Sequence, residues 1–244
     1  MRYKLFFILL LIPLCLKGQA EEPVLHEVVI STELSYGSTS LFIKADGESG
    51  FQYSILDMDK NTVYLTGKVT SLEPLVRTGA YSFNTPEGDP YVTGYYSNNI
   101  PFRGWKYLDA DGQLINNLNY SAAIQFLHNY GDIDIGEDYV FEAKKAPKFP
   151  KKGMSGFLKF IRDNAVYPLF PLINQEQGTV TCQFVIDTNG QLINARIVDG
   201  VNEDFDLEVL RILSLSPKWT PGKMKGGEPA QVMYKLAVHF QLPD

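Results

Sequence analysis

Apolar and polar positions change rhythm along this chain. Residues 5–16 form an almost unbroken apolar run, residues 24–116 mostly alternate, and beyond 150 the alternation is interleaved with helical spacing. Residues 24–30, Val-Leu-His-Glu-Val-Val-Ile, predict a first strand. Residues 36–44 and 51–58 predict two more, separated by the turn-forming Asp46-Gly47-Glu48-Ser49-Gly50, and 63–69 another. From 77 to 116 glycine and tyrosine recur: Thr78-Gly79-Ala80-Tyr81, Thr93-Gly94-Tyr95-Tyr96, Arg103-Gly104-Trp105-Lys106-Tyr107, Asp111-Gly112-Gln113-Leu114. That spacing predicts successive hairpins with aromatic residues covering one face and glycines at turns and bulges. Leu118, Ala122, Phe126 and Tyr130 then fall near helical spacing, so a helix closes this region.

Residues 131–153 change character. The stretch 131–138 is turn-like and acidic, and Lys144, Lys145, Lys148, Lys151 and Lys152 follow among Pro147 and Pro150. Beyond it, Phe157, Leu158, Phe160 and Ile161 give residues 154–164 an apolar helical stripe that stops near Tyr167-Pro168. Residues 179–187 alternate, with Val180, Cys182, Phe184 and Ile186 on one face, and Asp187-Thr188-Asn189-Gly190 predicts a hairpin to a partner strand at 191–198. A second helix is expected at 204–214 and a final strand within 229–242. The order helix, strand, strand, helix, strand predicts a three-stranded antiparallel sheet with two helices on one face. The fold class is therefore α+β: a β-rich domain at 21–130, a short linker at 131–146 and a small mixed domain at 147–242.

The N-terminal run carries a further expectation. Arg2 and Lys4 precede it and Lys17-Gly18-Gln19-Ala20 closes it, the pattern of a cleaved signal peptide at 1–20. Its twelve apolar residues would rise only about 18 Å as a helix, and Pro13 interrupts them. The alternatives are an uncleaved anchor, placing the protein in the envelope membrane, and a lipid on Cys15, which Leu14 disfavours. Without Arg2, Lys4 and Lys17, 19 of the 22 basic side chains face 28 acidic ones, a net of about −9. Such a surface repels phosphate backbones, so nucleic acid is not an expected partner. Cys182 would be the sole cysteine left, so stability must come from a packed core.

Catalytic and metal chemistry is hard to find. His26, His128 and His239 stand apart with no ligand spacing around them. Cys182 alternates with core positions, where a thiol acts as a small hydrophobe. Asp109-Ala110-Asp111-Gly112 and Asp187-Thr188-Asn189-Gly190 lack the rest of an EF-hand loop and read as hairpin turns. Gly153-Met154-Ser155-Gly156 is not a phosphate loop, no Gly-x-Ser-x-Gly elbow occurs, and Asn119-Tyr120-Ser121 is a weak glycosylation sequon. No enzyme activity, cofactor or metal is expected. Trp105, Tyr95, Tyr96 and Tyr107 form either a binding face or the cover a hairpin sheet needs.

Several motifs of the last third keep a family's order and spacing. They are Pro147-x-Phe149-Pro150, Gly153, Phe157, Phe160-Ile161, Asn164, Tyr167-Pro168, Gly178-x-Val180, Phe184-Val185-Ile186-Asp187 with Asn189-Gly190, Gly200, Leu207, Ser216-Pro217-x-Trp219-x-Pro221-Gly222, Gly227, Pro229 and Phe240. Through them, residues 147–241 resemble the C-terminal domain of TonB-like energy transducers in the form common in Bacteroidota. The resemblance implies a periplasmic domain that pairs an edge strand with an extended peptide, such as the TonB box of a TonB-dependent outer-membrane receptor. It points to the last strand, 231–240, as that edge, with Gln231, Met233, Lys235 and Phe240 on it and Trp219, Pro221 and Gly222 shaping the turn before it. A homodimer through edge strands is the other pairing it allows. Residues 78–116 loosely resemble MORN-like hairpin repeats, and 24–31 are faintly similar to a TonB box, as any β-rich octamer is.

Three functions follow as expectations. The first is a non-catalytic periplasmic protein- or peptide-binding module, the second an atypical component of TonB-dependent transport, and the third a structural envelope protein. The cleavable N-terminus and the short joint at 131–153 favour the first, because a motor-coupled transducer needs an inner-membrane helix and a long spacer.

Overall fold

The computed structural model describes residues 25–31, 39–45, 50–57, 61–128 and 143–242. The expected signal peptide at 1–20, the turn at 46–49 and the acidic stretch 131–138 lie outside the described residues, as do the side chains of His26 and His128. The chain divides into two compact units, Leu34–Ser121 in one and Met1–Glu33 with Ala122–Asp244 in the other.

The first unit is a seven-stranded antiparallel meander in chain order, β2 (Thr39–Ala45), β3 (Phe51–Asp57), β4 (Thr62–Leu72), β5 (Leu75–Asn84), β6 (Pro90–Ser97), β7 (Ile100–Leu108) and β8 (Leu114–Asn119). From β4 to β8 each strand is joined to the next by a turn, where the sequence carries its turn signals. Leu65, Val69, Tyr81, Phe83, Val92, Tyr96, Trp105 and Leu118 are buried. Two strand glycines make the aromatic layer possible. A Cβ on Gly67 would stand 2.0 Å from the Tyr81 ring, and one on Gly94 would stand 2.2 Å from the Trp105 ring. Tyr96 lies edge-on to both rings, at 5.0 Å and 4.9 Å between centroids, and the Arg77 guanidinium sits 4.2 Å over the Tyr96 ring. Of the four aromatics read as either a binding face or the cover of the sheet, Tyr96 and Trp105 are buried, Tyr107 is half-buried and Tyr95 alone is exposed, which is the arrangement of a sheet cover. Leu118 belongs to β8, so the helix that follows, α1 (Ser121–His128), begins later than its apolar spacing suggested.

The second unit takes in α1 from Ala122 onward and contains α2 (Gly153–Asn164), α3 (Leu169–Ile173), β9 (Gly178–Ile186), β10 (Leu192–Asp199), α4 (Glu203–Ser214), a two-residue pair β11 (Gly222–Lys223) and β12 (Pro229–Ala230), and β13 (Val232–Gln241). β9, β10 and β13 are the three antiparallel strands that the sequence predicts. A fourth joins them from the other end of the chain. The segment expected to open the β-rich domain, β1 (Leu25–Ser31), pairs in parallel with β13, giving the order β1-β13-β9-β10. Nothing local in residues 24–30 distinguishes these partners, because alternation fixes a strand but not its neighbour.

The even-numbered side chains of β9 and β13 make the core. Val180, Cys182, Phe184, Ile186, Leu236, Val238 and Phe240 are buried, at about 1.5–3 kcal/mol for each large apolar side chain. Phe240 packs on Phe205 of α4 with ring centroids 4.4 Å apart, and Phe184 on Phe157 of α2 at 5.5 Å. α4 opens on Asn202, whose side chain accepts the Phe205 N–H at 3.0 Å. α3 forms although Pro171 lies within it. The proline stands in the first turn of the helix, where a backbone N–H has no intrahelical acceptor to lose.

Candidate functional site

β13 carries three of the seven expected partner-binding residues, Met233, Lys235 and Phe240, and its surroundings decide what they can do. Trp219 is buried in an aromatic cluster with Phe149, Phe157, Phe184 and Tyr234, at centroid distances of 5.5, 4.9, 6.4 and 5.7 Å. Its indole N–H donates to Ser216 Oγ at 2.9 Å. The Trp219 amide donates to the Gly190 carbonyl at 2.7 Å. A Cβ on Gly190 would stand 1.9 Å from the Trp219 carbonyl oxygen, and its φ is +83°. Glycine is required there on both counts. Gly222 is buried, with Pro147 and Val232 each 3.0 Å from where a Cβ would lie, and Pro221 is half-buried. Met233 and Phe240 are buried, while Gln231 and Lys235 are half-buried. Side chains so enclosed shape and stiffen the strand, leaving its backbone as the pairing surface.

That backbone is engaged on both sides. β9 runs along one edge of β13 from Val232 to Phe240, and β1 runs along the other from Lys235 to Gln241. The edge that the sequence leaves open at 231–240 is thus largely taken by the chain's own residues 25–31. An uncovered apolar edge of this length would invite uncontrolled pairing. Only Val232, Met233 and Tyr234 lie beyond the reach of β1, and they line an open cleft of about 1030 Å³.

The opposite wall of that cleft comes from the former joint. Residues Lys145 and Lys148 bridge antiparallel to Lys223 and Thr220, with four backbone hydrogen bonds of 2.8–3.1 Å. Ala143, Ala146, Pro147, Lys148, Phe149 and Pro150 line the cleft with Lys152, Gly153 and Met154 at the start of α2. Residues 143–150 therefore form part of the second unit instead of a free linker. The lysines Lys144, Lys145, Lys148, Lys151 and Lys152 are all exposed around this end of the unit.

Two features hold the helices against the sheet, and sequence reasoning missed the first of them. Glu208 and Arg211 on α4 form a buried bidentate pair, with bonds of 2.7 Å and 2.6 Å. Glu208 also accepts the Val166 N–H at 2.7 Å, and Arg211 donates to the Asn164 carbonyl at 2.5 Å. Together they tie α4 to the end of α2. Their i,i+3 spacing is the signal that was available, but it is equally that of a surface pair. Tyr167 donates to the Glu176 carbonyl, and burial, with Glu176 nearby, pushes its phenol up to about 12.

Among the described residues, no group of three or more His, Cys, Asp or Glu side chains is placed to hold a metal, and no helix is long and apolar enough to cross a membrane. Cys182 is buried and burial pushes its thiol up, away from nucleophile range. The Asp109 and Asp187 segments are turns of one design. Each aspartate Oδ1 accepts two backbone N–H groups, at 3.0 and 2.8 Å and at 2.8 and 2.7 Å.

The arrangement defines a small α+β sheet domain whose outer edge holds an added extended segment. Residues 163–242 match the family model described as the Gram-negative bacterial TonB protein C-terminal domain. The match begins inside α2 and runs through β13, so it covers α3, α4 and the three antiparallel strands. No curated protein and no solved structure matches the chain. The MORN-like resemblance at 78–116 finds no support in these comparisons.

Proposed function

We propose that the second unit is a non-catalytic protein- or peptide-binding module of the periplasm that takes up an extended segment in parallel along the outer edge of β13. The observation that carries this reading is the pairing of β1 with β13 over seven consecutive residues, Leu25 opposite Lys235 through Ser31 opposite Gln241. That sheet accepts a strand distant in sequence, through main-chain groups that any extended peptide presents. The match of residues 163–242 to the TonB C-terminal family supports the same reading, since it belongs to a non-catalytic periplasmic family whose members contact outer-membrane receptors. A partner's strand would then occupy the edge in exchange with β1. The same family match favours a second reading, an atypical component of TonB-dependent outer-membrane transport.

The test is a titration of a variant lacking residues 21–31 with a peptide of sequence Leu-His-Glu-Val-Val-Ile-Ser, followed by amide NMR. Saturable shifts confined to Val232–Gln241 and their neighbours on the sheet are expected. Shifts along β10 instead, or none in a folded variant, would refute the reading.

A further inference from the structure

The face of the first unit's sheet that lies opposite its aromatic core carries a group of side chains with no role in packing. Alternation turns Tyr95 away from buried Tyr96, and its register partner Phe102 on β7 lies beside it. At 44% and 46% exposure these are the only exposed aromatic rings among the described residues. Ala80, opposite Tyr95 on β5, is exposed too and leaves the flank of the ring open. Between Tyr95 and Thr93, β6 spends two positions where β7 spends four, from Phe102 to Lys106. That bulge holds Arg103 at φ +63° and brings its guanidinium to 5.6 Å and 5.2 Å from the two ring centroids. The rings are its partners among the described residues, so its fork of N–H donors stays available. The neighbouring row across this face is Ser54, Thr66, Ser82, Thr93, Lys106 and Asn117. It crosses the six strands from β3 to β8, about 24 Å at the usual strand spacing. Neither row holds a carboxylate, and Glu87, Asp89, Asp109 and Asp111 sit in the turns at the strand ends.

We propose that this face binds an acidic polysaccharide, with sugar rings stacked on Tyr95 and Phe102 and a ring carboxylate held by Arg103. Charge selects an anion: Arg103 and Lys106 stand on two rows without an acid to oppose them, in a chain with 28 acidic and 22 basic residues. Topology argues against a peptide. β5, β6 and β7 are each paired on both sides, so an extended segment finds no free backbone there. Two rings in polar surroundings are also too little apolar area for the core of a protein interface. A pyranose fits what remains, because it has an apolar C–H face for the rings and a rim of hydroxyls for the serine, threonine and asparagine side chains. A carboxylate on a ring carbon lies near the plane of the sugar, within reach of a guanidinium that stands against both aromatic rings. Arginine binds such a group through two parallel N–H bonds. The length of the polar row suits a chain of sugars over a single one. The site lies in the first unit and is independent of strand exchange at β13.

The experiment is calorimetric titration of the full chain with a hexamer of galacturonic acid, beside a neutral glucose hexamer. Saturable binding of the acidic hexamer is expected, with the neutral one about tenfold weaker. Arg103→Gly should lower the affinity for the acidic hexamer about tenfold, the scale of a hydrogen bond to a charged group, and leave the neutral hexamer unaffected. The melting temperature of this variant should equal or exceed that of the parent chain, because glycine adopts a φ of +63° without strain. Lost binding is then not lost folding. Tyr95→Leu with Phe102→Leu should weaken both hexamers, since both stack on the rings. No saturable binding of the acidic hexamer, or equal binding by Arg103→Gly, would overturn the inference. So would equal affinity for a single-stranded oligonucleotide or for polyphosphate, which would make the face a general polyanion surface.

Discussion

At the scale of single residues, the second unit depends on a few groups that cannot be exchanged for near neighbours. The Glu208–Arg211 pair is nearly inaccessible to water, with side-chain exposures of 0% and 3%. Each charge there is compensated by the other and by backbone groups at Val166 and Asn164. Removing one charge strands the other in a low-dielectric interior, which costs about 3–5 kcal/mol, whereas an apolar replacement of both is often neutral or stabilising. Arg211→Met is therefore expected to lower the unfolding free energy by about that amount. Glu208→Leu with Arg211→Met should recover most of the loss. Urea unfolding of the three proteins checks this, and a double variant less stable than Arg211→Met would contradict it. The sequence shows the pair's spacing but not its enclosure, because its other hydrogen-bond partners, Val166 and Asn164, lie more than 40 residues away in the chain. Asp187 and Gly190 were legible for the opposite reason. Their chemistry closes within four residues, as the bonds from Asn189 and Gln191 to Asp187 show.

At the scale of elements, sequence reading succeeded where a pattern repeats locally. The hairpins of the first unit, the stripe of Phe157, Leu158 and Ile161, and the alternation of Val180, Cys182, Phe184 and Ile186 all appear in the structure close to where periodicity put them. α3 was the harder element, since Pro171 reads as a breaker unless its place in the first turn is known. Which segment covers the second edge of β13 was not legible: the pairing of residues 25–31 with 235–241 leaves no mark on the first segment beyond the faint TonB-box similarity that any β-rich octamer has. The run Val232-Met233-Tyr234 and Leu236-Ala237-Val238 did hold a hint, for a strand so apolar on successive positions suits the interior of a sheet. In the first unit, the strand glycines tie adjacent strands through aromatic rings. Gly94→Ala puts a methyl group where the Trp105 ring lies. Displacing that ring is expected to cost about 1–3 kcal/mol, and a red-shift of tryptophan emission should accompany the loss in thermal stability, as the buried indole gains water contact. An unaltered melting temperature would show that the ring has room to move.

At the scale of the whole molecule, the N-terminal and C-terminal segments of the chain meet in one sheet. The domain that matches the TonB C-terminal family supplies β9, β10 and β13 from residues 163–242, and residues 25–31 complete it from outside the matched region. This division between an accepting sheet and an added strand is the basis of the proposed function. It also distinguishes an edge held by the protein itself from one open to any partner. A pair of cysteines across the β1–β13 register tests it most directly. Glu27 is the register partner of Ala237, and the native Cys182 is buried and does not compete for oxidation. Glu27→Cys with Ala237→Cys should form an intrachain disulfide under mild oxidation and run as a monomer. Glu27→Cys with Gln241→Cys, four positions out of register, should not. A cross-link found only between molecules, or equally efficient in and out of register, would contradict the account that β1 fills the edge of β13 within its own chain.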